Sequence, residues 1–439
     1  MEPVGQRLPS MVMRPPGPRS RELAQRLAAA ESPAVDLRRR SRALQSDRDM
    51  APIVFASGEG ANVTDADGNR YVDLAAGFGA LLLGHSHPTI RRAVDEQSDR
   101  LWLALGDIYA SVPKVDLCER LVALYPRAGA RVLLGATGAD AVTAALKSAV
   151  LATGRVGVVA CAGAYHGLSH GPLAACGFSP SFRDPFLGQL GVTVRFVPFP
   201  SRAADLRSSL SAVDDALRDG SVSAVLVEPV LGRGGCVVPP SAWLPELRAA
   251  CDRSGALLIC DEIWTGLGRS GSTLASVGAG VVPDLICLGK GLGAGLPISA
   301  CLGSAQAMAG WAAHGGATIH TATHFGAPIM CAAACAMLDA LGAERLAERS
   351  SEVGARWMAT LRERTGGKGV RDVRGCGLMV GVALDGGGAR ALGAMDRLLA
   401  RGWIVLTGGV EGDVLTLTPP LNIDETLLTA FADALADVL

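Results

Sequence analysis

At 439 residues, with 49% hydrophobic and 19% charged side chains, the chain is long enough for two packed domains and too apolar to be mainly disordered. Its formal net charge of -1 leaves no sustained basic face, so a small-molecule partner is expected rather than nucleic acid. No apolar run reaches the roughly 18 residues that span a bilayer, and eleven cysteines scattered through apolar runs read as reduced core residues of a cytoplasmic protein.

Residues 1–50 are rich in proline and arginine, include Arg38-Arg39-Arg40, and carry ten arginines against six acids. They read as an arm, either a free tail or a segment packed on a partner subunit; Glu2, Glu22 and Glu31 count against a transit peptide. From about residue 130, short apolar runs alternate with Ala-rich stretches of helical period, the rhythm of an α/β layer. Strands are predicted at Arg131 to Gly135, Val156 to Cys161, Thr193 to Phe199, Ala224 to Val230, Ala256 to Glu262, Pro283 to Gly289 and Ile298 to Gly303. Their unbroken apolar character implies burial on both faces, as in a mainly parallel sheet. Helices are predicted at Ala139 to Ala152, Leu244 to Arg253 and Pro328 to Leu341. After about residue 340 a helix, two strands around Val370 to Leu384, a helix, a strand at Val414 to Pro419 and a helix from Asp424 suggest a smaller α+β module.

Ligands of open α/β sheets sit beyond the carboxyl ends of the strands, which singles out Glu228, Asp261, Glu262 and Lys290. The only other lysines are Lys114, Lys147 and Lys368. Only an amine that sheds its proton attacks a carbonyl, so Lys290, between an apolar run and Gly291-Leu292-Gly293, is a candidate for Schiff-base chemistry. Taken alone, it is also open to a purely structural reading. A phosphate loop is excluded because Gly291, not Ser or Thr, follows it. Asp261, ending the buried Leu257-Leu258-Ile259-Cys260, needs a cation such as a pyridinium nitrogen, unless it caps a helix or forms a buried salt bridge. Thr137-Gly138-Ala139-Asp140 opens a helix and offers unpaired N–H groups to a phosphate. Tyr165 follows the next strand, to stack on a planar ring or to fill core. Cys331 and Cys335 lack the second pair a metal needs, so no metal is expected.

In this order the pieces resemble the class III aminotransferases of pyridoxal-5'-phosphate (PLP) fold type I, from about residue 52 to the C-terminus. The resemblance is carried by Gly60-Ala61-Asn62-Val63-Thr64-Asp65 through Asp73, Gly84-His85-Ser86-His87-Pro88, Asp261-Glu262-Ile263-Trp264-Thr265-Gly266-Leu267-Gly268-Arg269-Ser270-Gly271, Gly289-Lys290-Gly291 and Gly295-Leu296-Pro297. It implies a large PLP-binding domain at 101–330 around a seven-stranded sheet, and a smaller domain from 51–100 and 331–439. It implies that His85 and His87 belong to a turn rather than a metal site. It also implies catalytic Lys290 and Asp261, with Gly138, Ala139, Tyr165 and Ile263 around the cofactor. Thr323 would reach the phosphate across a homodimer interface with shared active sites, and Arg374 would hold a substrate carboxylate.

Three positions depart from the family pattern: Trp264 replaces a frequent glutamine, Ala327 a frequent asparagine, and Arg233 the glutamate of many 4-aminobutyrate- or ornithine-preferring members. Arg233 either reads a second acidic group of the substrate or pairs with Glu228 or another acid. The implied activity is ping-pong transfer of an amino group from an amino donor to a carbonyl acceptor. The alternatives are an aminomutase or racemase on the same fold, or a non-catalytic PLP-binding protein.

Overall fold

Seven runs too apolar to leave a face in water pair into a single sheet. The computed structural model describes residues 5–46, 51–314 and 317–439, and its sheet order is Arg131–Gly135, Ser299–Gly303, Leu285–Leu288, Leu257–Asp261, Val222–Val227, Gly157–Cys161 and Val194–Val197. Six strands share one direction; Ser299–Gly303 runs antiparallel between its two neighbours. Each expected strand is present, most of them shorter at the ends. Glu228, for example, leaves the ladder after Val227 and turns its carboxylate onto loop backbone.

The helix Gly138–Thr153 lies on this sheet through Ala141, Ala144, Ala145 and Ala149, whose small side chains permit close approach. A capping box between Thr137 and Asp140 fixes where it starts. The helix Pro328–Ala343 runs unbroken across residue 330, and Pro at its first turn suits a helix start.

Beyond it, Val370–Cys376, Met379–Leu384, Val414–Leu417 and Leu406–Gly408 form an antiparallel sheet in that order. A third sheet joins Phe55–Glu59, Asn62–Asp65 and Arg70–Asp73 to the late strand Trp403–Ile404, which pairs in parallel with Arg70–Asp73. Helix Glu425–Val438 closes the C-terminal unit, with fully buried Phe431 against Trp357 and Trp403. Phe431→Ala is expected to cost about 3–5 kcal/mol in a denaturant titration, the range for emptying a buried aromatic site.

Residues 1–4 and 47–50 of the arm, with Glu2 among them, lie outside the described residues. The rest is held on its own chain rather than hanging as a free tail. Asn62 and Asn69 accept from the backbone of Arg7, Val12 and Met13, and Asp67 caps the helix Pro18–Ala30 through the N–H groups of Arg19 and Ser20. The helix Pro33–Ser46 packs against Gly387–Ala400. Among the described residues no helix is long and apolar enough to cross a membrane, and no cluster of ligating side chains suits a metal ion.

Candidate active site

The carboxyl ends of four neighbouring strands bring Lys290, Asp261, Glu228 and Tyr165 to one edge of the sheet, with Gly138 at the same edge after Arg131–Gly135. Lys290 is half-buried, two residues past Leu285–Leu288, in a left-handed backbone conformation (φ 28°). Only glycine fits after it, because a Cβ at Gly291 would run into Leu82. Its Nζ lies 4.2 Å from the ring centroid of Trp264. Burial pushes this amine down to about 8; Asp261 and Glu228 oppose the shift and the charge of Arg233 adds to it.

Asp261 is buried, accepting from the Ile263 N–H (3.1 Å) and from Nδ1 of buried His166 (2.8 Å). An ionised carboxylate accepts at about four sites, so acceptor capacity remains for a further donor. The His166 contact is the residue that the sequence reading missed. Its partner lies 95 positions away, and only the sheet order brings the two together. Because the carboxylate only accepts, His166 carries its proton on Nδ1, and its buried Nε2 has no partner among the described residues.

At the start of the helix Gly138–Thr153, the Asp140 carboxylate takes the N–H groups of Ala136 and Thr137, and the Asp140 N–H goes to Thr137. The N–H groups of Gly138 and Ala139 are left for a ligand at the positive end of the helix dipole. Ile263 forms the floor: a Cβ on Gly138 would stand 2.8 Å from its Cδ1, and one on Gly289 would stand 3.2 Å from its Cγ2. An amine of lowered proton affinity, a buried carboxylate, two open N–H groups and an aromatic ring suit an aldehyde-bearing, phosphorylated pyridine, and this donor set fits PLP.

The profile of the family described as aminotransferase class-III matches residues 43–439. The chain belongs to this family. The acetylornithine aminotransferase of Mycolicibacterium smegmatis is 39% identical over 388 residues, covering 88% of this chain and 94% of that one. An ornithine aminotransferase from Toxoplasma gondii superposes with a TM-score of 0.80 at 29% identity, covering 93% of this chain and 98% of that one. An amine transaminase from an uncultivated Pseudomonas species, solved in its PLP-bound form, gives 0.78 at 32% identity, covering 90% and 94%. This is a PLP-dependent aminotransferase of fold type I, and the comparisons give no support to the isomerase or non-catalytic alternatives.

In the aminotransferase, Glu262 and Glu228 are framework. Glu262 accepts from the N–H groups of Ala275 and Ser276 and from the Ser276 hydroxyl. Glu228 accepts from the N–H groups of Tyr165 (2.8 Å) and Gly232 (3.0 Å), which fixes the Tyr165 loop. Burial raises both carboxyls above their usual range. The suggested Arg233–Glu228 pair does not form, because both Glu228 oxygens are taken by backbone. The Arg233 guanidinium lies instead over the rings of Tyr165, Phe178 and Phe182, at 4.5, 4.8 and 5.7 Å. Arg374, on Val370–Cys376, donates from Nε to the Gly235 carbonyl at 2.8 Å.

Trp264 lies between two glycines, Gly79 and Gly232, where any Cβ would meet the indole. Ala327 sits at the N-cap of Pro328–Ala343 with no side-chain cap. Thr323 is exposed, and no hydrogen bond among the described residues joins it to Lys290, Gly138 or Ala139 of its own chain. His85 bonds Asp73 through Nε2 at 2.9 Å, and all eleven cysteines are free thiols.

Proposed function

We propose that the aminotransferase holds PLP through Lys290, Asp261, Gly138, Ala139, Tyr165 and Ile263, and accepts an amino donor whose carboxylate binds Arg374. The observation that carries this reading is the convergence, at one sheet edge, of a half-buried amine depressed to about 8 with a buried Asp261 that retains acceptor capacity. When bound, PLP supplies an electrophilic aldehyde and a ring that takes up the negative charge left when the carbon bearing the amino group loses its proton.

The residues around it have separable tasks. Lys290 Nζ would hold the aldehyde carbon and, as a free amine, would move the proton at the substrate carbon that bears nitrogen. Asp261, oriented by His166 and the Ile263 N–H, holds a proton on the pyridine nitrogen. The Gly138 and Ala139 N–H groups receive the phosphate, and Ile263 and Tyr165 bracket the ring. Named relatives act on acetylornithine and ornithine, which supports an amino-acid donor.

Two finer readings belong with this one. A homodimer with shared sites is supported by the apolar residues Trp102, Leu105, Ile108, Tyr109 and Val112, all exposed on one chain, and by Thr323, exposed and without a hydrogen bond to the site residues of its own chain. Eleven free thiols support a cytoplasmic setting.

The holoenzyme given an amino donor alone tests the function. Release of the matching carbonyl product, with conversion of the cofactor to its amine form, is expected; a racemised or isomerised donor without that conversion would count against it. A pH measurement reads Lys290 separately. Only the neutral amine attacks, so PLP capture by the apoenzyme should rise with pH and level off above about 8. An unperturbed lysine would keep gaining beyond pH ~10.

A further inference from the structure

The Lys290 amine rests on the face of an aromatic ring. Its Nζ lies 4.2 Å from the centroid of the Trp264 ring, and no ion pair joins it to a carboxylate among the described residues. Asp261 and Glu228, at the ends of two neighbouring strands, and Arg233, in the loop after Glu228, are the charged groups whose fields reach it. An aromatic face attracts a cation without offering it a lone pair, so it can hold an ammonium and still release the proton. A carboxylate in contact would hold that proton far more firmly.

Bare backbone fixes the indole at both edges. A Cβ on Gly232 would run into its Cε3, and one on Gly79 into its Nε1. The Gly232 N–H is held by the Glu228 carboxylate at 3.0 Å and the Gly79 N–H by the Ala75 carbonyl at 2.8 Å. Gly79 (φ 79°) closes a left-handed turn through Gly77 and Phe78. Val230, Cys236 and Met379 form the apolar cluster against which the indole packs. Its buried Nε1 has no hydrogen-bond partner among the described residues. That N–H lies in the ring plane, whereas Nζ lies over the ring, so the two side chains meet through the π face alone.

We propose that the indole face of Trp264 holds the positive charge of the Lys290 nitrogen, both while the amine is free and while it holds the cofactor's aldehyde carbon. The inference deepens the aminotransferase reading, on which it rests, by giving the reacting nitrogen a second, uncharged partner. Once freed, the amine stays over the ring instead of swinging into solvent. A side chain that only filled space here would act in the opposite sense, because excluding water without attracting charge disfavours the ammonium.

The test keeps the shape of the indole and weakens its attraction for a cation, by introducing mono-, di- and trifluorotryptophan at position 264 alone. Trp264→Leu would also admit water and so mix two opposing effects. In the apoenzyme, the pH at which Lys290 becomes half-reactive towards trinitrobenzenesulfonate, followed by mass spectrometry of its peptide, reads the proton affinity of the amine. A weaker ring supports the charged form less, so this midpoint should fall with each fluorine, by about 0.5–1.5 pH units in total, or roughly three- to thirtyfold in proton affinity. Lys114, Lys147 and Lys368 serve as internal references. In the holoenzyme, the pH midpoint of the visible absorbance of lysine-bound PLP should fall in the same order. A midpoint that stays put or rises with fluorination in either series overturns the proposal. If the protein captures no PLP, the functional reading fails instead, and the labelling series in the apoenzyme still decides the role of Trp264.

Discussion

Lys290→Ala is expected to lose turnover by on the order of 10⁴-fold or more and to lack the visible absorbance of lysine-bound PLP. The size follows from removing two tasks at once, covalent attachment and proton transfer at the substrate carbon. Lys290→Arg should fail nearly as badly although it keeps the charge, because a guanidinium does not deprotonate and cannot attack an aldehyde. The arginine variant separates chemistry from electrostatics, since a lysine needed only as a cation beside Asp261 and Glu228 would be rescued by it. Turnover within a few-fold of wild type in either variant would remove Lys290 from the mechanism.

Asp261→Asn should lower turnover by roughly 10²–10⁴-fold while leaving the thermal midpoint near that of the wild type. Asparagine keeps the side-chain shape and can still accept the Ile263 N–H through its carbonyl oxygen. It cannot carry the negative charge that keeps a pyridine nitrogen protonated. His166 would lose a charged partner and keep a neutral one, so part of the loss should reappear in a milder His166→Gln variant. A large drop in thermal midpoint with little change in turnover per folded molecule would make Asp261 a structural carboxylate.

Much of the fold is legible in the sequence because buried strands announce themselves, and so do the polar residues that end them. Lys290 and Asp261 stood out as ionisable groups at the ends of apolar runs, and Gly138 because a strand led straight into a helix. The direction of Ser299–Gly303 was not readable, since a strand buried on both faces has the same composition whichever way it runs. His166 and the cage around Arg233 were hidden for another reason. Their partners come from separate loops, and local sequence does not record which loops the sheet order will bring together. The place of the arm on the chain is not legible in its composition because its anchors, Asn62, Asp67 and Asn69, lie in a different segment from the residues they hold.

The parallel pairing of Trp403–Ile404 with Arg70–Asp73 also governs the order of events during synthesis. Val72 leaves the ribosome early, yet the strand beside it is made only when the chain is nearly finished. Until then the edge of Arg70–Asp73 waits without its neighbour, while the central sheet already has every strand it needs by Gly303. The large unit can therefore fold during translation, whereas the sheet that carries the arm closes last, by a long-range and intrinsically slow contact. A truncated chain ending before Trp403 should accordingly expose that early edge and be prone to aggregate, even with its PLP-binding sheet complete.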